Sequence, residues 1–304
     1  MNKTLPLMQR EWLQHRFAWA LLVLVPLGLA LLLLSVGQIE FDSAWGEHTA
    51  PQRSLWLSTI ALLATTVVIF LVVGVTSLFI TFGLARRDHG DRSIEFWLSL
   101  PISHSQSLAV PLLVHLVLVP AAALLAGLAG GYVLSLLLVT RFVGLGDWFA
   151  LPWGSIAPAT MAFTLRLAAG LPLAMMWLSP LILLAMLANA LLRRWGVPVL
   201  AVALGVGSGV LQGVFGFHGL SETLLRLVRG AGLSLAGASG EGVSLDDEKS
   251  PDMVLSHLPG WALQDFGAAL QNLADPVFVG GLAVSAALFA VLVAWRTRGA
   301  SSGH

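Results

Sequence analysis

Long apolar runs broken by short polar clusters set the pattern of this chain. Six of them, 17–36, 55–85, 107–139, 160–192, 196–216 and 276–295, are long enough to cross a bilayer, which takes about 20 residues of helix. In hydrocarbon the backbone must satisfy its own hydrogen bonds, so each run is predicted to be helical. No Asp, Glu or Lys falls inside any of these six stretches. The run 17–36, at 20 residues, exceeds the roughly 7–15 residues of a signal-peptide core and is expected to stay as an uncleaved span. The run 55–85 has 31 residues, or roughly 46 Å of helix against a hydrocarbon core of roughly 30 Å. Tilt, or extension past the membrane with Arg86 and Arg87 at the wet end, accommodates the excess.

The polar intervals carry shorter amphipathic patterns. Residues 5–14 precede the first run. In the connection 86–106, Asp91 is placed to cap a short helix. Ile94, Trp97 and Leu98 stand at i, i+3 and i+4 to give one apolar face, and Pro101 ends it. Ser103 with Gln106 then forms a capping box for the third span. By pattern alone this short helix either rests on the bilayer or docks in a partner's groove. The interval 217–275 holds two more helical patterns. One, 221–229, groups Leu224, Leu225 and Val228; the other, 260–273, lines up Leu263, Phe266, Leu270 and Leu273. An acidic stretch, 241–252, separates them.

Composition agrees with a lipid solvent. The chain is 57% hydrophobic and 11% charged, with a mean hydropathy of +0.86; soluble domains carry about 25% charged residues. Lys plus Arg equals Asp plus Glu at 16 each, so charge indicates no nucleic-acid partner. The absence of cysteine excludes disulfides, thiolate metal sites and a cysteine nucleophile. Basic residues set orientation. Lys3, Arg10, Arg16, Arg86, Arg87, Arg92, Arg193, Arg194, Arg296 and Arg298 fall on one side. The smaller set Arg53, Arg141, Arg226, Arg229 and Lys249 falls on the other. Both termini are therefore expected in the cytoplasm, and 217–275 outside. Trp56, Trp148, Trp153 and Trp295, near span ends, are expected as interfacial anchors.

The connection reads Arg92-Ser93-Ile94-Glu95-Phe96-Trp97-Leu98-Ser99-Leu100-Pro101-Ile102-Ser103. With the acidic and basic residues that lead into it, it resembles the cytoplasmic connection of type-2 ATP-binding-cassette (ABC) permeases. Many members have Gly-Thr before the Glu, where this chain has Arg92-Ser93. The likeness extends to architecture: an amphipathic segment before the first span, six spans with both ends inside, and a large outer segment between the fifth and sixth. It implies an all-α integral membrane protein with a cytoplasmic coupling helix and short outer helices. It further implies that Asp91, Ser93, Ile94, Glu95, Trp97, Leu98, Leu100 and Pro101 engage an ABC ATPase subunit. No G-x-x-x-x-G-K-[ST] loop occurs, and lysine stands only at Lys3 and Lys249. Nucleotide chemistry, with ATP and Mg2+, would therefore belong to a separate polypeptide, with no cofactor on this chain. The family also implies a half-transporter in a bacterial inner membrane, paired with a second copy or a paralogue and working mainly in export.

Ala201, Gly205, Gly209 and Gly213 place small residues at four-residue spacing on the fifth run, a ridge that lets helices approach closely. It serves internal packing or, as the resemblance implies, the permease–permease interface. Gly127 and Gly131 form a second ridge, expected to pack internally. Two polar residues lie within runs. Arg166 either reaches the surface, makes a structural pair or touches cargo. His115 either bonds a neighbouring helix or takes part in transport. The hydroxyls of the second run can bond their own helix and so do not establish a polar pathway. Three competing functions are an ion-coupled carrier, a membrane assembly factor and an intramembrane serine protease. The first usually needs carboxylates in its spans. For the last, Ser208-Gly209 is present but position 206 is Val, so Gly-x-Ser-Gly is incomplete. Aliphatic and hydroxyl side chains would line any pathway, which suits hydrophobic cargo broadly.

Overall fold

A computed structural model describes residues 4–37, 49–90, 103–240 and 251–301, with the side chains of 86–90, 104 and 296–301 excepted. The described residues are predominantly helical, without strands. Helix α1 is Thr4–Val36 and α2 is Ala50–Gly90. The third span begins as α3 (His104–Leu113), widens through a π turn at Val114–Leu118 and continues as α4 (Val119–Phe142). A short α5 (Leu145–Phe149) leads to α6 (Trp153–Leu192). A 3-10 turn, Arg193–Trp195, joins α6 to α7 (Gly196–Phe215). Then follow α8 (Gly219–Leu235), α9 (Pro251–Gln271) and α10 (Pro276–Ser301). The segment 91–102, with Asp91, Ser93, Ile94, Glu95, Trp97, Leu98, Leu100 and Pro101, lies outside the described residues.

Among the described residues, five helical stretches are long and apolar enough to cross a membrane: Thr4–Val36, Ala50–Ala85, Ser105–Phe142, Trp153–Phe215 and Pro276–Trp295. The chain thus has the build of a multi-pass membrane protein. The fourth stretch joins two of the predicted runs, but its backbone breaks at Arg193, whose φ is 58°. Immediately beyond, Gly196 sits so close to α6 that a Cβ would run into the backbone of Ala188 and Asn189. The amphipathic 5–14 is continuous with the first run, so Glu11 belongs to the same helix.

Helix α6 is the hub, packing against α2, α7, α8, α9 and α10. At one end Leu55, Leu62, Leu128, Ile156, Leu255 and Leu258 join α2, α4, α6 and α9. At the other, Leu84, Leu108, Ile182, Met186 and Leu292 join α2, α3, α6 and α10. The most extensive seam is between α2 and α4. A Cβ on Gly127 would come 2.8 Å from Thr66 Cα, and one on Gly131 2.9 Å from Leu62 Cα. The Gly127/Gly131 ridge is thus internal. In contrast, Cβ atoms on Gly205, Gly209 and Gly213 would meet nothing within 4 Å. Gly131→Leu is therefore expected to overpack the α2–α4 seam and destabilise the fold by at least about 1–3 kcal/mol. Gly209→Leu should leave the unfolding midpoint of the solubilised protein unchanged. Equal losses of folded protein would refute the contrast.

One expectation about surfaces is corrected. Trp56 is buried, not interfacial. Trp148 and Trp153 are half-buried and pack on each other with ring centroids 4.7 Å apart; Trp148 Nε1 donates to Ser135 Oγ and Trp153 Nε1 to the Trp148 carbonyl. In α8 and α9 Leu225, Val228, Leu263 and Leu270 are exposed and Leu224, Phe266 and Leu273 are half-buried, while Leu227, Gly230, Ala231, Ser234, Trp261, Ala262, Asp265 and Ala269 point inward. The small side chains among the inward set let the backbones approach.

Candidate functional site

Burying a polar group in an apolar bundle costs free energy unless it is paired, so buried polar clusters mark where the fold is most constrained. The largest joins α6 to the segment 217–275. Arg166 Nη2 lies 2.7 Å from Asp265 Oδ2, and both side chains are fully buried. Arg166 Nε donates to the same oxygen at 3.0 Å and Nη1 donates to the Ser234 carbonyl at 2.8 Å. The Asp265 carboxylate also accepts from Gly237 N, Ser239 N and Ser239 Oγ, at 3.1, 2.8 and 3.0 Å. The turn that offers those donors has Gly237 at φ 86° and Gly240 at φ 77°, a region glycine enters without steric cost. Gly170 leaves room beneath: a Cβ there would collide with the Ser234 carbonyl and lie 2.6 Å from Arg166 Nη1. Every strong donor and acceptor is met from within the protein. The cluster has the chemistry of a clamp holding α8 and α9 on α6, and Arg166 stays inside, away from the surface.

The second cluster lies between α1 and the third span. His115 Nε2 is 3.2 Å from Glu11 Oε2, with side-chain exposures of 0% and 1%. Glu11 and His15 stand one helical turn apart on α1 and share a face. The His15 and His115 rings meet edge to face at 5.2 Å, and Trp19 lies 5.6 Å from each. Leu7, Val110 and Val114 pack with Trp19 around them. His115 sits in the π turn, where Val119 N–H reaches back to the Val114 carbonyl. Pro120 explains the turn: it has no N–H, and its ring crowds the carbonyl four residues earlier. Such bulges are frequent at functional sites. The Nδ1 of His115 is buried without a hydrogen-bond partner among the described residues.

His115 does bond a neighbouring helix, through a carboxylate that the hydropathy pattern had placed outside the spans. Of the predicted residues, Arg166 and His115 fall in separate clusters, and Gly205, Gly209 and Gly213 line an open helix face. Asp265, Glu11 and His15 were missed by sequence reasoning. Their one local signal is a charged or ring side chain set at helical spacing among apolar neighbours. Three hydroxyls of the second run bond their own helix as expected, Thr66 Oγ1 donating to the Leu62 carbonyl, Thr76 Oγ1 to Val72 and Thr81 Oγ1 to Leu78; Ser58 Oγ instead accepts from Ser135 Oγ, and Thr59 Oγ1 and Ser77 Oγ are buried without a partner among the described residues. A cavity of about 300 Å³ between α3, α6 and α10 is lined by Leu112, Leu116, Met175, Ile182, Phe289 and the Ser179–Ser285 pair. No family model, curated protein or solved structure matches this chain.

Proposed function

We propose that this chain is the permease subunit of a type-2 ABC transporter, driven by ATP and Mg2+ on a separate ATPase. The observation that carries the reading is the Arg92–Ser103 motif, with its Ile94, Trp97 and Leu98 face. The motif joins α2, which runs on to Gly90, to α3, which starts at His104. A load applied to such a connection is transmitted to two long helices at once. Reading Trp153–Phe215 as two spans, with the turn at Arg193 and Arg194, gives six spans and both termini in the cytoplasm of a bacterial inner-membrane protein. The open face of Gly205, Gly209 and Gly213 suits a second permease copy or a paralogue, and Gly209→Leu would weaken that association. Cargo would be hydrophobic, in keeping with the aliphatic and hydroxyl lining of the spans, and its direction export.

One observation favours a second reading. Glu11, buried against His115 on the helix that contains the first apolar run, could serve as the carboxylate an ion-coupled carrier uses. Purification from native membranes separates the two. The permease reading expects a stoichiometric ABC-type ATPase to accompany the chain and to hydrolyse ATP faster when the complex is in lipid. A chain that purifies alone and moves cargo on an ion gradient without nucleotide would overturn it.

A further inference from the structure

Glu11, His15 and His115 bring one carboxylate oxygen and two imidazole nitrogens within 4.8 Å of one another. We propose that these three residues bind a divalent transition-metal ion of the zinc class, held between α1 and the third span. The proposal is independent of the transporter reading.

The donor set selects the ion. Two imidazoles with a carboxylate suit zinc and its neighbours, whereas magnesium and calcium take oxygen ligands. Three protein ligands leave a fourth position for water or another small ligand. Geometry permits it. Ligand bonds of about 2.0–2.1 Å in a tetrahedron place donor atoms roughly 3.4 Å apart. The Glu11–His115 separation of 3.2 Å already matches. His15, only partly buried, closes the remaining distance by side-chain rotation and gives the ion its way in. The i, i+4 spacing of Glu11 and His15 aims both at one point from a single helix, and the π turn supplies His115 from across the seam.

Burial favours the site. Glu11 is 1% exposed among Leu7, Trp19, Val110 and Val114, and a divalent ion bound there would add positive charge beside the buried carboxylate and draw on both histidines. An ion here would staple α1 to the third span, a useful bond for a helix that is otherwise loosely attached.

The test uses the full chain, purified through a tag without histidine, stripped by chelator and titrated with Co2+ as the optical probe. One equivalent should bind, with the visible bands of four-coordinate cobalt, and Zn2+ should displace it. His15→Ala and Glu11→Gln should each weaken binding by more than the roughly 10–100-fold typical of losing an outer-shell partner. His257→Ala, on the exposed side of α9, should leave it unchanged. Histidine modification by diethyl pyrocarbonate, read by mass spectrometry on the unsubstituted protein, keeps the test valid if a variant misfolds: Zn2+ should protect His15. Folded protein that takes up no Co2+, binding by the Glu11 and His15 variants as tight as that of the unsubstituted protein, or no protection of His15 would each overturn the site. The cluster would then be a hydrogen-bonded Glu–His pair without an ion.

Discussion

Asp265→Ala will destabilise the fold by about 3–5 kcal/mol, because it strands the Arg166 guanidinium in a dry interior. The Arg166 and Asp265 side chains are both fully buried, so water cannot replace the lost partner without opening the structure. The Gly237 and Ser239 donors lose their acceptor in the same step. Arg166→Met will cost a similar amount, since it leaves the carboxylate without its cation. The double variant Arg166→Met with Asp265→Leu should cost clearly less than the sum of the single changes, because no uncompensated charge remains. Denaturant titration of the solubilised protein gives all three values. Limited proteolysis adds the location: cleavage after α8, near residues 237–240, should accelerate in the single variants before global unfolding. Additive costs, or single losses below about 1 kcal/mol, would show that the pair is no clamp.

The second large effect concerns coupling and rests on the proposed ATPase partner. Trp97→Ala should remove the principal anchor of the connection, since buried aromatic residues dominate interfaces and truncation of one typically costs about 2 kcal/mol or more. That corresponds to about a 30-fold loss of affinity. Copurification of the ATPase should fall accordingly and transport-linked hydrolysis should stop. Glu95→Ala should be milder, because an exposed ion pair contributes at most about 1 kcal/mol. Neither residue lies in a span, so insertion and folding should be unaffected. A Trp97→Ala protein that keeps its ATPase and its transport would make 91–101 a membrane-surface element instead.

The membrane class of this protein was legible in its sequence, and the reason is periodicity on a large scale. A run of about 20 apolar residues has no soluble alternative that hides it, and lipid demands a helix. The same local logic placed the cap at Ser103, whose Oγ accepts from Gln106 N at 3.3 Å, and the Gly127/Gly131 ridge. Tertiary structure alone decided the rest. Whether a small-residue ridge meets a neighbour depends on which helix lies across from it, so Gly131 and Gly209 look alike in sequence and differ in space. The apolar stripes of α8 and α9 were legible, but not which residues would face the rest of the protein. In lipid, apolar side chains gain little by turning inward, and close packing with satisfied polar groups decides the inner face. For that reason Asp265 points in toward an arginine 99 residues away along the chain. Glu11 and His115, 104 residues apart, meet for the same reason: each polar group, once excluded from water, is stable only where another element brings its partner, and no local pattern records that meeting.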